Sequence, residues 1–233
     1  MKAVFIHGWS ASPCAWKPFR SQLAADSHCV SFADVNSADG FLPAVIDALP
    51  PEPTVVFGWS MGAILAIEAA LTSPDHIAGL VLFAGTPCFC SPYRSRGWPS
   101  RVLRRMQQQL HTDPQQCLLD FRKSMFSDSE NNAFAELSRA CPLPESCGFS
   151  PDGLHAGLDY LTRTDLRPSL GSLSCPVLWI HGTHDRICPP GTLTEVPPSH
   201  EVLLIPDAGH LPFRTSPLAR RAALDFFHRT SSS

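Results

Sequence analysis

Two hydrophobic rhythms alternate through the first third of the chain. Lys2–His7 is a short apolar run, and a helical spacing follows across Trp16–Ala25. Cys29–Ala33 reads as a second buried strand, and Gly40–Leu49 as a helix stopped by Pro50-Pro51. Thr54–Gly58 is again strand-like, Met61–Leu71 is a helix of Ala, Ile and Leu, and Ile77–Ala84 is a fourth strand. Short apolar runs alternating with helical patterns are the signature of βαβ units around a parallel sheet.

The rhythm breaks after Cys88. As far as about Leu170 no β-branched run occurs, while helical spacing appears over Arg101–Leu110, Gln115–Phe126 and Asn132–Arg139, separated by Pro-containing segments. Strands resume at Val177–His181 and Val202–Ile205, and an amphipathic helix over Pro217–His228 closes the chain before a serine tail. The pattern predicts one α/β domain, a mostly parallel sheet flanked by helices. Residues 1–87 and 171–233 form its core, and residues 88–170 a helical insertion that acts as a lid.

A length of 233 residues suits a single domain of this class. With 44% hydrophobic and 17% charged residues the chain has the composition of a folded enzyme. A formal charge of −3 gives no reason to expect nucleic acid or an anionic membrane as partner. No apolar run approaches the roughly 18–20 residues that span a bilayer, and Met1–Gly8 reads as a core strand rather than a leader. A cytoplasmic, monomeric protein is expected. The nine cysteines (14, 29, 88, 90, 117, 141, 147, 175 and 188) are scattered and odd in number, so a disulfide framework is not expected. Only Cys88 and Cys90 lie close together, without a second pair at zinc-ligand spacing, so neither metal nor cofactor is predicted.

Chemistry concentrates at four places. Gly58-Trp59-Ser60-Met61-Gly62 has the form Gly-x-Ser-x-Gly and sits directly between a strand and a helix. That setting presents a serine on a tight turn beside the free N–H groups of a helix N-terminus. The first strand runs into His7-Gly8-Trp9-Ser10. Its backbone is placed to supply one oxyanion donor from Trp9, with Met61 supplying the other. His210, in Asp207-Ala208-Gly209-His210, follows the last strand and is the candidate base. The orienting acid is expected at Asp185, in Gly182-Thr183-His184-Asp185; Asp207, Asp159 and Asp165 are the alternatives. An ordinary serine helix cap would explain Ser60 alone, but not its company.

Taken together, these segments resemble the α/β-hydrolase superfamily over nearly the whole chain. Within it the sequence is similar to the pimeloyl-[acyl-carrier protein] methyl ester esterases. The likeness is carried by His7-Gly8-Trp9, Gly58-Trp59-Ser60, Thr86-Pro87-Cys88-Phe89, Trp98-Pro99, Met106-Gln107-Gln108-Gln109-Leu110 and Thr164-Asp165-Leu166-Arg167. Ala63 departs from the further glycine that many relatives carry in the elbow. The resemblance implies a serine esterase that removes methanol from a pimeloyl chain presented on acyl-carrier protein. It further implies substrate contacts from Trp9, Ser60, Met61, Met106, Gln107, Gln108, Gln109, Leu110 and His210.

Local charge points the same way. Between Ser91 and Met125 stand Arg94, Arg96, Arg101, Arg104, Arg105, Arg122 and Lys123 against Asp113 and Asp120, an excess suited to an acidic carrier. A solvated helical face is the plain alternative. A general short-chain carboxylesterase or thioesterase, a carbon–carbon bond hydrolase and a non-catalytic binding module remain as rival readings.

Overall fold

A computed structural model describes residues 1–23, 25–143 and 148–232. Six strands form one parallel sheet: β1 (Lys2–Ile6), β2 (Ser27–Cys29), β3 (Thr54–Trp59), β4 (Ile77–Phe83), β5 (Val177–Gly182) and β6 (Glu201–Ile205). Their order is β2-β1-β3-β4-β5-β6, so the chain starts near one edge, winds to it, then crosses back to the other. Ile6 pairs with Gly58 and Trp59 with Phe83, which aligns the carboxyl ends of β1, β3 and β4. Ligands of open α/β sheets bind at that end, beside the strand where winding reverses.

Among the described residues nine α-helices join them: α1 (Lys17–Arg20), α2 (Phe41–Asp47), α3 (Met61–Thr72), α4 (Ser100–Thr112), α5 (Pro114–Ser124), α6 (Asn131–Ala140), α7 (Pro151–Arg163), α8 (Pro212–Thr215) and α9 (Pro217–Ser231). Successive side chains of β3 take opposite faces. Phe57 meets Phe227 of α9 and stacks on Phe5 at 4.7 Å, while Gly58 backs onto the start of α3. Because α3 is buried nearly all round, it is uniformly apolar rather than amphipathic. An aromatic cluster of Trp16, Phe83, Phe213 and Trp59 fills the space beneath the carboxyl ends of the strands.

The structure differs from the sequence reading at four points. Strand β2 is Ser27–Cys29, not Cys29–Ala33: after the Val30 N–H bonds Phe5 O at 2.9 Å the chain leaves the sheet, and Val30 and Phe32 are buried from a loop. The helix expected over Trp16–Ala25 shrinks to Lys17–Arg20, preceded by a 3₁₀ turn over Pro13–Trp16. Helix α7 was not anticipated, since Gly153 and Gly157 depress helix propensity. Finally, Cys14 and Cys141 form a disulfide, with Cα atoms 6.3 Å apart across 127 residues. No spacing rule signals that pair, because docking of the stretch after α6 on the loop after β1 creates it. Cys147 lies outside the described residues.

Helices α4 to α7 lie in the connection between β4 and β5. Among the described residues no helix is long and apolar enough to cross a membrane.

Candidate active site

The site begins with a backbone that only a tight turn can produce. Ser60 has φ 57° and ψ −120°, a conformation costing a non-glycine residue of order 1–3 kcal/mol. The ladder holds it there: its N–H bonds Phe83 O at 3.1 Å, and its carbonyl accepts from Ala63 at 2.9 Å. The turn throws the hydroxyl above the sheet and starts α3 at once. So sharp a reversal needs a bare backbone at Gly62, where an added Cβ would stand 2.2 Å from Ile6 O and 2.7 Å from His7 O.

His210 reaches Ser60 from the loop after β6. Its Nε2 lies 2.8 Å from Ser60 Oγ, and its Nδ1 lies 2.8 Å from Asp185 Oδ2. The other carboxylate oxygen of Asp185 accepts the N–H groups of Ile187 (2.8 Å) and Cys188 (2.9 Å). Asp185 is thereby fixed before it meets the imidazole. The loops after β5 and β6 are zipped together by Thr183 N–H to Ile205 O and His184 N–H to Ala208 O, and this sets the Asp185–His210 distance. The indole N–H of Trp59 donates to the His210 carbonyl at 2.8 Å, so the residue before the serine also steadies the histidine.

The other three candidate acids lie elsewhere. Asp159, on α7, accepts from Gln107 Nε2 at 2.7 Å; Asp165 pairs with Arg167; and Asp207 is exposed, 3.5 Å from His184 Nδ1. By sequence His181 and His184 are the nearest rivals to His210, in the loop that supplies the acid, and His181 is not placed to meet Ser60. It stands behind the acid, fully buried, with Nε2 2.5 Å from Cys188 O and 3.5 Å from Asp185 Oδ2, and burial lowers its pKa.

Beside Ser60 runs the loop after β1. A Cβ on Gly8 would sit 3.0 Å from Ser60 Cβ, which places the Trp9 backbone against the nucleophile candidate. No turn or loop hydrogen bond among the described residues uses the Trp9 or Met61 N–H. Met61 is the first residue of α3, where the N–H has no partner within the helix. Both are therefore candidate donors to an oxygen bound at Ser60. The Trp9 ring is held by Nε1 donating to Leu154 O at 2.9 Å and by an edge contact with Phe121 at 4.8 Å. Helix α7 comes this close only because residue 157 is glycine: its Cβ would lie 2.5 Å from the Trp9 ring. Behind Trp9, His7 is wholly buried between Phe32 and Phe149, and desolvation lowers its pKa to about 4.

The predicted contact segment on α4 splits. Met106 and Gln109 line a cleft of about 230 Å³ with Trp98, Val102 and Phe121. Gln107 instead bonds His155 and Asp159 of α7, Gln108 faces solvent, and Leu110 is buried. One ring, Phe121, separates that cleft from Trp9. Ser60 is only 5% exposed and His210 is buried. No group of three or more His, Cys, Asp or Glu is placed to hold a metal among the described residues.

A strained serine bonded to a buried imidazole, itself bonded to a buried carboxylate, can raise the nucleophilicity of a hydroxyl. The Trp9 and Met61 N–H groups, which no turn or loop hydrogen bond among the described residues uses, are the candidate donors to a carbonyl oxygen as it becomes negative. The chain belongs to the alpha/beta hydrolase family, whose model matches residues 3–224. Solved structures with this fold include a thermophilic esterase from Thermogutta terrifontis (TM-score 0.78, 21% identity, 99% of this chain and 90% of that one). An esterase from Exiguobacterium antarcticum is another (TM-score 0.79, 17% identity, 100% and 92%). By sequence the chain is similar to a pimeloyl-[acyl-carrier protein] methyl ester esterase of Edwardsiella ictaluri, 32% identical over 238 residues, 95% of this chain and 90% of that protein. A protein of the same name from Xylella fastidiosa is 32% identical over 252 residues, covering 97% and 94%.

Proposed function

We propose that this carboxylic ester hydrolase cleaves the methyl ester of a pimeloyl chain carried on acyl-carrier protein, releasing methanol and a free carboxylate in biotin synthesis. The observation that carries the chemistry is the unbroken chain Ser60 Oγ–His210 Nε2 and His210 Nδ1–Asp185 Oδ2, each link 2.8 Å, in a covered site. The substrate follows the names of the relatives of this chain.

Ser60 Oγ attacks the ester carbonyl while its proton passes to His210 Nε2. The N–H groups of Trp9 and Met61 hold the oxyanion, and Asp185 stabilises the imidazolium. The histidine returns the proton to the methoxy oxygen, and methanol leaves. A water then gives its proton to His210, its oxygen attacks the acyl-serine, and the carboxylate departs as Ser60 is restored.

Helices α4–α7 form the lid in this reading, and the Met106–Gln109 cleft is its acyl-side wall. On α4, Arg101, Arg104 and Arg105 are exposed and suit an acidic carrier. Two basic residues drop out of that surface: Arg122 is buried and donates to Cys141 O, and Arg96 pairs with Glu195. Alanine at Ser60 abolishes hydrolysis and fluorophosphonate labelling in a folded protein. Wild-type enzyme is then compared on pimeloyl-carrier methyl ester and on a panel of simple esters. Turnover of the simple esters with none of the carrier ester overturns the substrate reading, and hydrolysis by Ser60→Ala overturns the chemistry.

A further inference from the structure

The loop that carries His210 is held from the inserted helices as well as from Trp59 and the loop after β5. The His210 N–H donates to Met125 O at 2.7 Å, just past the end of α5. Ser127 Oγ donates to the Asp207 carbonyl at 2.7 Å, and Ser129 Oγ reaches the same oxygen at 3.2 Å. Between these lies Glu130. One of its carboxylate oxygens, Oε2, accepts both Ser127 N–H and Gly209 N–H at 2.9 Å. It therefore ties the residue preceding His210 to the insertion.

Two further observations set Glu130 apart from an ordinary surface carboxylate. It is 9% exposed, and its Oε1 is buried with no hydrogen-bond partner among the described residues. A buried carboxylate carries a desolvation cost that hydrogen bonds offset only in part. The loop it grips is itself strained: Asp207 is a non-glycine residue at φ 58°. A conformation of that kind persists only when its surroundings enforce it.

We infer that Glu130 is a positioning residue for His210. It bonds Gly209 N–H and Ser127 N–H with one oxygen and thereby makes the insertion part of the device that aims the imidazole at Ser60. The inference rests on His210 serving as the base. An acceptor oxygen of the right shape suffices for the clamp, so Glu130→Gln retains it and Glu130→Ala removes it.

The test uses the full chain, a short p-nitrophenyl ester, fluorophosphonate labelling of Ser60 and thermal unfolding. Misplacing a catalytic group by about 1 Å costs up to about a hundredfold, so Glu130→Ala is expected to lose about tenfold to a hundredfold in kcat. Its KM stays within about threefold, because the clamp touches no substrate, and labelling slows with kcat. Glu130→Gln restores kcat to within about threefold of wild type, which a role in bulk stability or substrate binding would not produce. Ser127→Ala, lacking the bond to Asp207 O, shifts kcat the same way by a few-fold, and it decides the matter if Glu130→Ala yields no soluble protein. An unchanged kcat per labelled site in either alanine variant overturns the inference, as does a raised KM at constant kcat. A dead Ser60→Ala beside a normal Glu130→Ala removes this inference alone; activity in Ser60→Ala removes the triad reading and this inference with it.

Discussion

Replacing Asp185 by Asn changes one atom in the line from acid to nucleophile. The amide keeps an oxygen for the Ile187 and Cys188 N–H groups, which Oδ1 now accepts at 2.8 and 2.9 Å. It presents an NH₂ donor where Oδ2 now faces His210 Nδ1 at 2.8 Å. The ring must then accept at Nδ1 and carry its proton on Nε2, pointed at a hydroxyl whose proton it should take. The carboxylate charge that would stabilise the imidazolium is lost too. With both side chains fully buried, charge centres about 4 Å apart at an effective dielectric of 20 interact by about 4 kcal/mol. At about 1.4 kcal/mol per decade, kcat should fall roughly a thousandfold from that contribution alone. The assay is ester turnover by protein whose circular dichroism and Tm match wild type, with Asp207→Asn, on the exposed side of the loop, as control. A fall of under about tenfold, or an equal fall in the control, would refute the assignment of Asp185 as the orienting acid.

Other consequences can be measured on stability. Gly62→Ala forces a Cβ against the Ile6 and His7 carbonyls, 2.2 and 2.7 Å away. At about 3 kcal/mol of overpacking, Tm should drop about 6–12 °C, and a drop under about 2 °C would contradict the close approach. His7 stays neutral in the fold down to about pH 4, whereas the unfolded chain protonates it near 6.5. Because its folded pKa is the lower one, its stabilisation is complete above pH 6.5 and is lost as pH falls towards about 4. It amounts to about 3 kcal/mol in all. Urea unfolding of wild type and His7→Asn from pH 7.5 to 4 should show the shallower decline in the variant; parallel curves would rule this out.

Legibility in the sequence followed the range of the interaction. Strand β3, the elbow and α3 form one contiguous stretch, where alternation, Gly-x-Ser-x-Gly and an apolar helix reinforce each other. Asp185 and His210 were readable because each lies in the loop at the carboxyl end of a later strand, the end of the sheet at which Ser60 also stands. Val30 and Phe32 misled because burial, not pairing, explains their apolarity. Helix α7 was hidden because its glycines serve contact with Trp9 and with the Val35 carbonyl rather than helix propensity. Glu130 left no local signal: its meaning lies in Gly209, 79 residues away.

Helix α4 is fastened differently from the other helices between β4 and β5. The stretch after α6 is stitched to the loop after β1 by Cys14–Cys141, and the stretch after α5 is pinned to the histidine loop. The main packing partners of α4 are α5 and α7, and its buried side chains are Leu103 and Leu110. Wetting two leucines takes about 3–6 kcal/mol, so a doorway hinged on that helix would stand ajar in roughly one molecule in a hundred to one in ten thousand. An opening of that kind would be rare at rest, yet an apolar group that replaced the leucines' own contacts would hold it open.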